Sequence, residues 1–218
     1  MSSRTTSAPA DGRAVEDRAS NEFARVVNLS DAVFAIAMTL LVLTVDVPDV
    51  ASRDLAAALI ADLPQLGAYA LAFVLVASQW YAHRKLFQRL AFTEVGLTLI
   101  NLAILGLVAL VPFPTSVLGS YPLATAAVVA FLATFGLLGV TYLALLVRAQ
   151  AKQAWQQPLP DGAYRRILLA FGANTSLLVA GIAVAVWQPA VALGLALVSS
   201  APTILLLRRV PLPYRHWF

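Results

Sequence analysis

Long uninterrupted runs of Ala, Leu, Val and Ile dominate the chain, broken only by short polar or Pro/Gly-containing stretches. Six such runs stand out: residues 23–45, 64–82, 95–118, 122–147, 167–187 and 189–207. At 1.5 Å per residue in a helix, each reaches roughly 28 to 39 Å, enough to cross a hydrocarbon core of about 30 Å. None alternates with the period of two that a membrane barrel strand requires. Three runs open with Pro64, Pro122 and Pro189, a residue suited to the first helical position because the N–H it lacks has no partner there. Pro112, Pro114 and Pro202 fall inside runs and predict kinks or early stops. The expected fold is all-α: a polytopic membrane protein with six transmembrane helices in one membrane domain, residues 23–207.

Composition agrees with this pattern. Hydrophobic residues make up 60% of the chain and charged residues only 12%, where a soluble domain carries about a quarter. Six spans leave no room for a separate soluble catalytic domain, so any function must reside in the bundle. There is no cysteine, which removes disulfides and thiol chemistry. Residues 1–22 mix small, polar and oppositely charged side chains without an apolar centre, and read as a disordered tail, not a signal peptide. Residues 208–218 read as a short C-terminal tail.

Charge placement sets the expected orientation. With segments numbered from the N-terminus, every basic residue except Arg53 falls at one set of ends: Arg4 to Arg25, Arg84 to Arg89, Arg148 to Arg166, and Arg208 to Arg215. The opposite ends hold the 46–63 loop with Asp46, Asp49, Asp54 and Asp62, and two short turns. The positive-inside rule makes the basic side cytoplasmic, so both termini are expected there. The basic pI of about 9.8 is then a topology signal, and nucleic acid is not an expected partner.

The informative residues are the polar ones placed in lipid. Asp31 lies about two turns into the first run, where an uncompensated carboxylate costs on the order of 3 kcal/mol or more. Arg25 and Ser30 on the same segment, and Trp80 and His83 on the second, are its candidate partners. The first two helices run antiparallel, which puts Asp31 and Trp80 at similar depth, and Trp80 and His83 share a helix face. Spacing alone is compatible with polar packing and interfacial anchoring as much as with a network pinning a pore-lining helix. Further along, Ile36, Thr39, Leu40 and Leu43 form one stripe about 100° wide, which periodicity alone reads as ordinary packing. Asn101, Asn174, Thr175 and Ser176 are expected to hydrogen-bond between helices. His83 and His216 have no carboxylate at ligand spacing, so no metal site is expected. No nucleophile and base meet at one depth, so the chain does not read as an enzyme.

The segment Arg25-Val-Val-Asn-Leu29-Ser30-Asp31 resembles the Arg-x-x-x-Phe-Ser-Asp signature of the transmembrane protein 175 family of potassium channels. Trp80-Tyr-Ala-His83-Arg-Lys-Leu-Phe87 and Leu110-Val-Pro-Phe-Pro-Thr115 are similar to that family's second and third helix motifs. One departure is Leu29, where the family has Phe; it keeps apolar bulk and loses the ring. The resemblance implies a potassium-permeable channel of the prokaryotic plasma membrane, a homotetramer with one six-helix repeat per chain and the first helix lining the pore. It implies rings of Ile36, Leu40 and Leu43 as a hydrophobic constriction in place of a carbonyl filter, with Thr39 favouring potassium over sodium. Arg25, Ser30, Asp31, Trp80 and His83 become the network that fixes the first helix. No cofactor is implied; the expected partners are the lipid bilayer, other copies of the chain and permeant monovalent cations. A secondary transporter and a non-transporting membrane scaffold are the alternatives.

Overall fold

The computed structural model describes residues 10–159 and 161–199, and among them it is all-helical, without a strand. In chain order the helices are α1 (Ala10–Leu40), α2 (Leu55–Ala61), α3 (Leu63–Phe87), α4 (Val95–Leu110), α5 (Pro112–Ser120), α6 (Thr125–Ala151), α7 (Asp161–Ala185) and α8 (Pro189–Val198). Leu41–Thr44 tightens the end of α1 into a 3₁₀ turn. Five helical stretches are long and apolar enough to cross a membrane: Asn21–Thr44, Leu63–Phe87, Val95–Ser120, Thr125–Ala151 and Gly162–Ala185. The sixth expected run begins as α8, but its residues 200–207, Pro202 among them, lie outside the described residues, as does the C-terminal tail.

Several boundaries move for identifiable reasons. Residues 10–22, expected as an unstructured tail, extend α1 upstream; Ala-rich sequence with acidic and basic residues three or four apart supports helix there. The second helix continues past residue 82 to Phe87 because its last turns are amphipathic: His83, Leu86 and Phe87 are buried while Arg84 is exposed. The fourth starts at Thr125, not at Pro122, because Leu123 takes a positive φ of 66° in the preceding turn and breaks the helical path. The fifth helix starts at Asp161 and ends at Ala185, against the expected 167–187. The short helix α2 in the 46–63 loop was not expected from the sequence; its Leu-Ala-Ala-Ala-Leu-Ile-Ala composition favours helix.

The third run breaks where its prolines stand. Pro112 has no N–H to give the Val108 carbonyl, and the N–H of Val111 takes that acceptor instead, at 3.2 Å. Helix α5 restarts with Pro112 in its first turn, and Thr115 secures the restart by donating both its N–H (3.2 Å) and its hydroxyl (2.8 Å) to the Val111 carbonyl.

Helix α6 is the central post. More than half of its most apolar window is buried (56%), against 22–33% for the other four spans, and it packs against α4, α5, α7 and α8. Phe131, Phe135, Leu138, Tyr142 and Leu145 fill its contacts. Gly139 lets α7 approach: a Cβ there would collide with the Thr175 hydroxyl. Helix α1 lies at the side of this arrangement, against α3 and α4.

Candidate functional site

Three helices bring their polar residues to one place: Ser30 and Asp31 on α1, Trp80 and His83 on α3, and Asn101 on α4. The Trp80 indole Nε1–H donates to Asp31 Oδ1 at 2.9 Å, the pairing that depth in antiparallel helices predicts. A second chain of hydrogen bonds runs beside it. Asn101 Nδ2 donates to Ser30 Oγ at 3.0 Å, and the Ser30 hydroxyl donates onward to the Val26 carbonyl at 2.8 Å. His83 Nε2 lies 2.8 Å from Asn101 Oδ1, so with this amide orientation Nε2 carries the proton. Ser30, His83 and Asn101 are each only 1% exposed, and among the described residues no buried side-chain polar atom lacks a partner. A satisfied network of this kind fixes both the rotation and the depth of α1 against α3 and α4.

Apolar rings hold the imidazole. His83 stacks on Phe87 with centroids 4.2 Å apart and planes 14° from parallel, and Phe34 and Tyr142 close the box at 5.4 and 6.2 Å. Tyr142 is itself tied down, its hydroxyl donating to the Gln79 carbonyl at 3.1 Å. Arg25, grouped with these residues on sequence, is exposed, and no hydrogen bond or ion pair joins it to Asp31 among the described residues. Asn101, expected only as general interhelical polar packing, sits at the junction between Ser30 and His83.

Above the network, α1 has two unlike faces. Phe34, Ala37 and Leu41 are buried, whereas Ile36, Leu40 and Leu43 are 57%, 43% and 74% exposed. Thr39 shares the exposed face and donates its hydroxyl to the Ile36 carbonyl at 2.8 Å, which leaves the oxygen lone pairs free to accept. Leu29 is also exposed, at 48%.

A second polar cluster was not foreseen. Glu94 caps α4 by accepting from the N–H groups of Gly96 (3.0 Å) and Leu97 (3.2 Å), and Arg148 grips both carboxylate oxygens at 2.8 and 3.2 Å. Gly96 makes room for the guanidinium, since a Cβ there would lie 2.8 Å from Arg148 Nη2. Next to it, Ala91 N–H donates to the Ala154 carbonyl and Gln156 N–H to the Arg89 carbonyl, joining the loops that follow α3 and α6. The Arg148 hydrogen bond, and after it that from Gly96, lowers the Glu94 carboxyl from 4.5 to about 2. A depressed carboxyl contributes stability that is present above pH 4.5 and lost as pH falls toward 2. Glu94→Gln is therefore expected to lower the thermal midpoint at pH 7, and the gap from wild type to shrink steadily between pH 4.5 and 2, as read by thermal unfolding in detergent. Among the described residues no group of three or more His, Asp or Glu side chains is placed to hold a metal ion.

Residues 25–112 match the family described as endosomal/lysosomal potassium channel TMEM175. That stretch is less than half of the chain. A potassium channel of Streptomyces collinus is 40% identical over 102 residues, 46% of this chain and 50% of that protein. Another, from Chamaesiphon minutus, is 36% identical over 110 residues, 49% of this chain and 54% of that protein. Each match spans about half the length of the relative. Among solved structures, the lysosomal potassium-selective channel TMEM175 homolog from Chamaesiphon minutus superposes with a TM-score of 0.76 at 25% identity, over 85% of this chain and 98% of that one. The potassium channel MtTMEM175 shares the fold at a TM-score of 0.56 and 18% identity, over 84% and 88%. The TMEM175 match contains all three motifs read in the sequence as far as Pro112, and it contains the whole polar network.

Proposed function

We propose that the chain is one subunit of a potassium-permeable channel of a prokaryotic plasma membrane, four copies surrounding a pore lined by α1. The observation that carries this reading is the two-faced first helix. Its inner face is locked by a buried polar network, while Ile36, Leu40 and Leu43 on its outer face remain uncovered by their own chain. Four such faces turned toward one axis make a narrow apolar neck that holds back ions by dewetting, and a small rotation of α1 rewets it. Thr39, with its donor spent on the Ile36 carbonyl, offers acceptor oxygens to a partly dehydrated cation. The channel relatives support potassium as the permeant ion, and no cofactor enters this mechanism. The apolar run of residues 189–207, which begins as α8, and the basic residues at one set of helix ends support a six-span subunit with both termini cytoplasmic.

The absence of cysteine makes the assembly directly testable. A single Leu43→Cys, oxidised in membranes, is expected to give disulfide-linked dimers, because every thiol in the preparation lies near the pore axis. Val179→Cys is the control: it is 50% exposed on α7, which packs chiefly on α6 and α8. Equal cross-linking of the two variants contradicts the assignment of α1 to the axis.

A further inference from the structure

Among the described residues, Asp31 has a donor but no cation in contact with it. Arg25, six positions upstream, is turned about 120° around the helix and stands roughly 9 Å below it. Helix α4 presents no charged residue from Val95 to Leu110, and His83 spends its Nε2 on Asn101. Among the described residues, the cation that meets the indole holding Asp31 is Arg84, whose guanidinium carbon lies 5.7 Å from the centroid of the Trp80 ring. The same indole donates its N–H to Asp31.

We propose that Arg84 is a positioning residue that stabilises the Asp31 carboxylate through the indole of Trp80. A cation over an aromatic face draws electron density toward itself. In an indole this leaves the N–H more acidic and a stronger donor to a carboxylate, and hydrogen bonds in a low-dielectric surrounding reinforce one another in this way. Arg84, Trp80 and Asp31 thus form a cation–ring–anion relay from an exposed helix end to a half-buried acid. The arrangement explains how the acid is held at this depth without a direct ion pair, and it is independent of whether the chain conducts ions.

The next position along α3 supplies an internal control. Lys85 lies 5.6 Å from the Tyr81 ring centroid, in the same last turn and with the same spacing. Favourable interaction with the carbonyl end of the helix applies to both cations equally. Of the two rings only that of Trp80 donates to a carboxylate; the Tyr81 hydroxyl meets none among the described residues.

The test is the indole N–H resonance of Trp80 in protein labelled with ¹⁵N-tryptophan and held in nanodiscs. Trp155→Phe, Trp187→Phe and Trp217→Phe assign the other three resonances, so Trp80 is identified without altering it. Arg84→Gln is expected to move the Trp80 proton upfield, as its hydrogen bond to Asp31 weakens. Arg84→Lys, which keeps the charge, is expected to retain most of the wild-type shift, and Lys85→Gln to leave it in place. A Trp80 resonance unmoved by Arg84→Gln, or moved as far by Lys85→Gln, overturns the relay.

Discussion

Leu40→Ser is expected to raise resting potassium flux through reconstituted protein by at least about tenfold, a barrier change of about 1.4 kcal/mol. The argument starts from one side chain. Leu40 is 43% exposed on the face of α1 that the chain itself leaves uncovered, one turn beyond Ile36 and within a turn of Leu43. Removing a leucine side chain from water is worth roughly 1.5–3 kcal/mol. In the proposed tetramer, four of them facing one narrow neck would make the water-filled state costly, and a hydroxyl at each would remove that cost. Stopped liposome flux assays with wild type and Leu40→Ser measure the ratio. Val147→Ser, on the exposed face of α6, is expected to change flux little. An unchanged ratio for Leu40→Ser places the barrier to ions elsewhere.

Asn101→Leu is expected to give the largest loss of stability of any single change in the polar network. The leucine fills similar volume but strands two buried partners, the N–H on His83 Nε2 and the Ser30 oxygen that accepted from Asn101. A stranded buried polar group costs about 1–3 kcal/mol, although contacts between membrane helices average nearer 0.6 kcal/mol. The expected loss is therefore on the order of 1–4 kcal/mol, read as a lower thermal midpoint in detergent. Adding His83→Phe is expected to recover part of it, because the Phe34, Phe87 and Tyr142 box receives a phenyl ring without an unmet donor. A double variant no more stable than Asn101→Leu alone contradicts the assignment of the loss to a stranded His83.

Why the sequence disclosed some of this and not the rest has a physical basis. The helical spans were legible because their apolar runs match membrane thickness, and the break at Pro112 because proline removes a specific donor. The Trp80 to Asp31 bond was legible because antiparallel neighbours place those residues at one depth. Asn101 was visible as a polar residue in lipid, yet its partners depend on the rotation of α4. Apart from Thr98 and Asn101 that helix is apolar on every face, so its pattern does not mark the inward one. Arg25 was grouped with Asp31 by chain proximity, but six residues of helix turn it away. The Glu94 to Arg148 pair escaped because it joins residues 54 positions apart, one of them just outside a span. The acidic residue two positions before Gly96 was the available signal for a helix cap.

The most direct test of the channel assignment is cation flux from liposomes containing the purified protein, driven by a potassium gradient, repeated with sodium and then with Thr39→Ala. The account predicts potassium flux exceeding sodium flux in wild type and a reduced preference in Thr39→Ala, with the cross-link of Leu43→Cys, reconstituted in parallel, confirming assembly. Gradients that dissipate no faster than in protein-free liposomes, with the cross-link present, would contradict it.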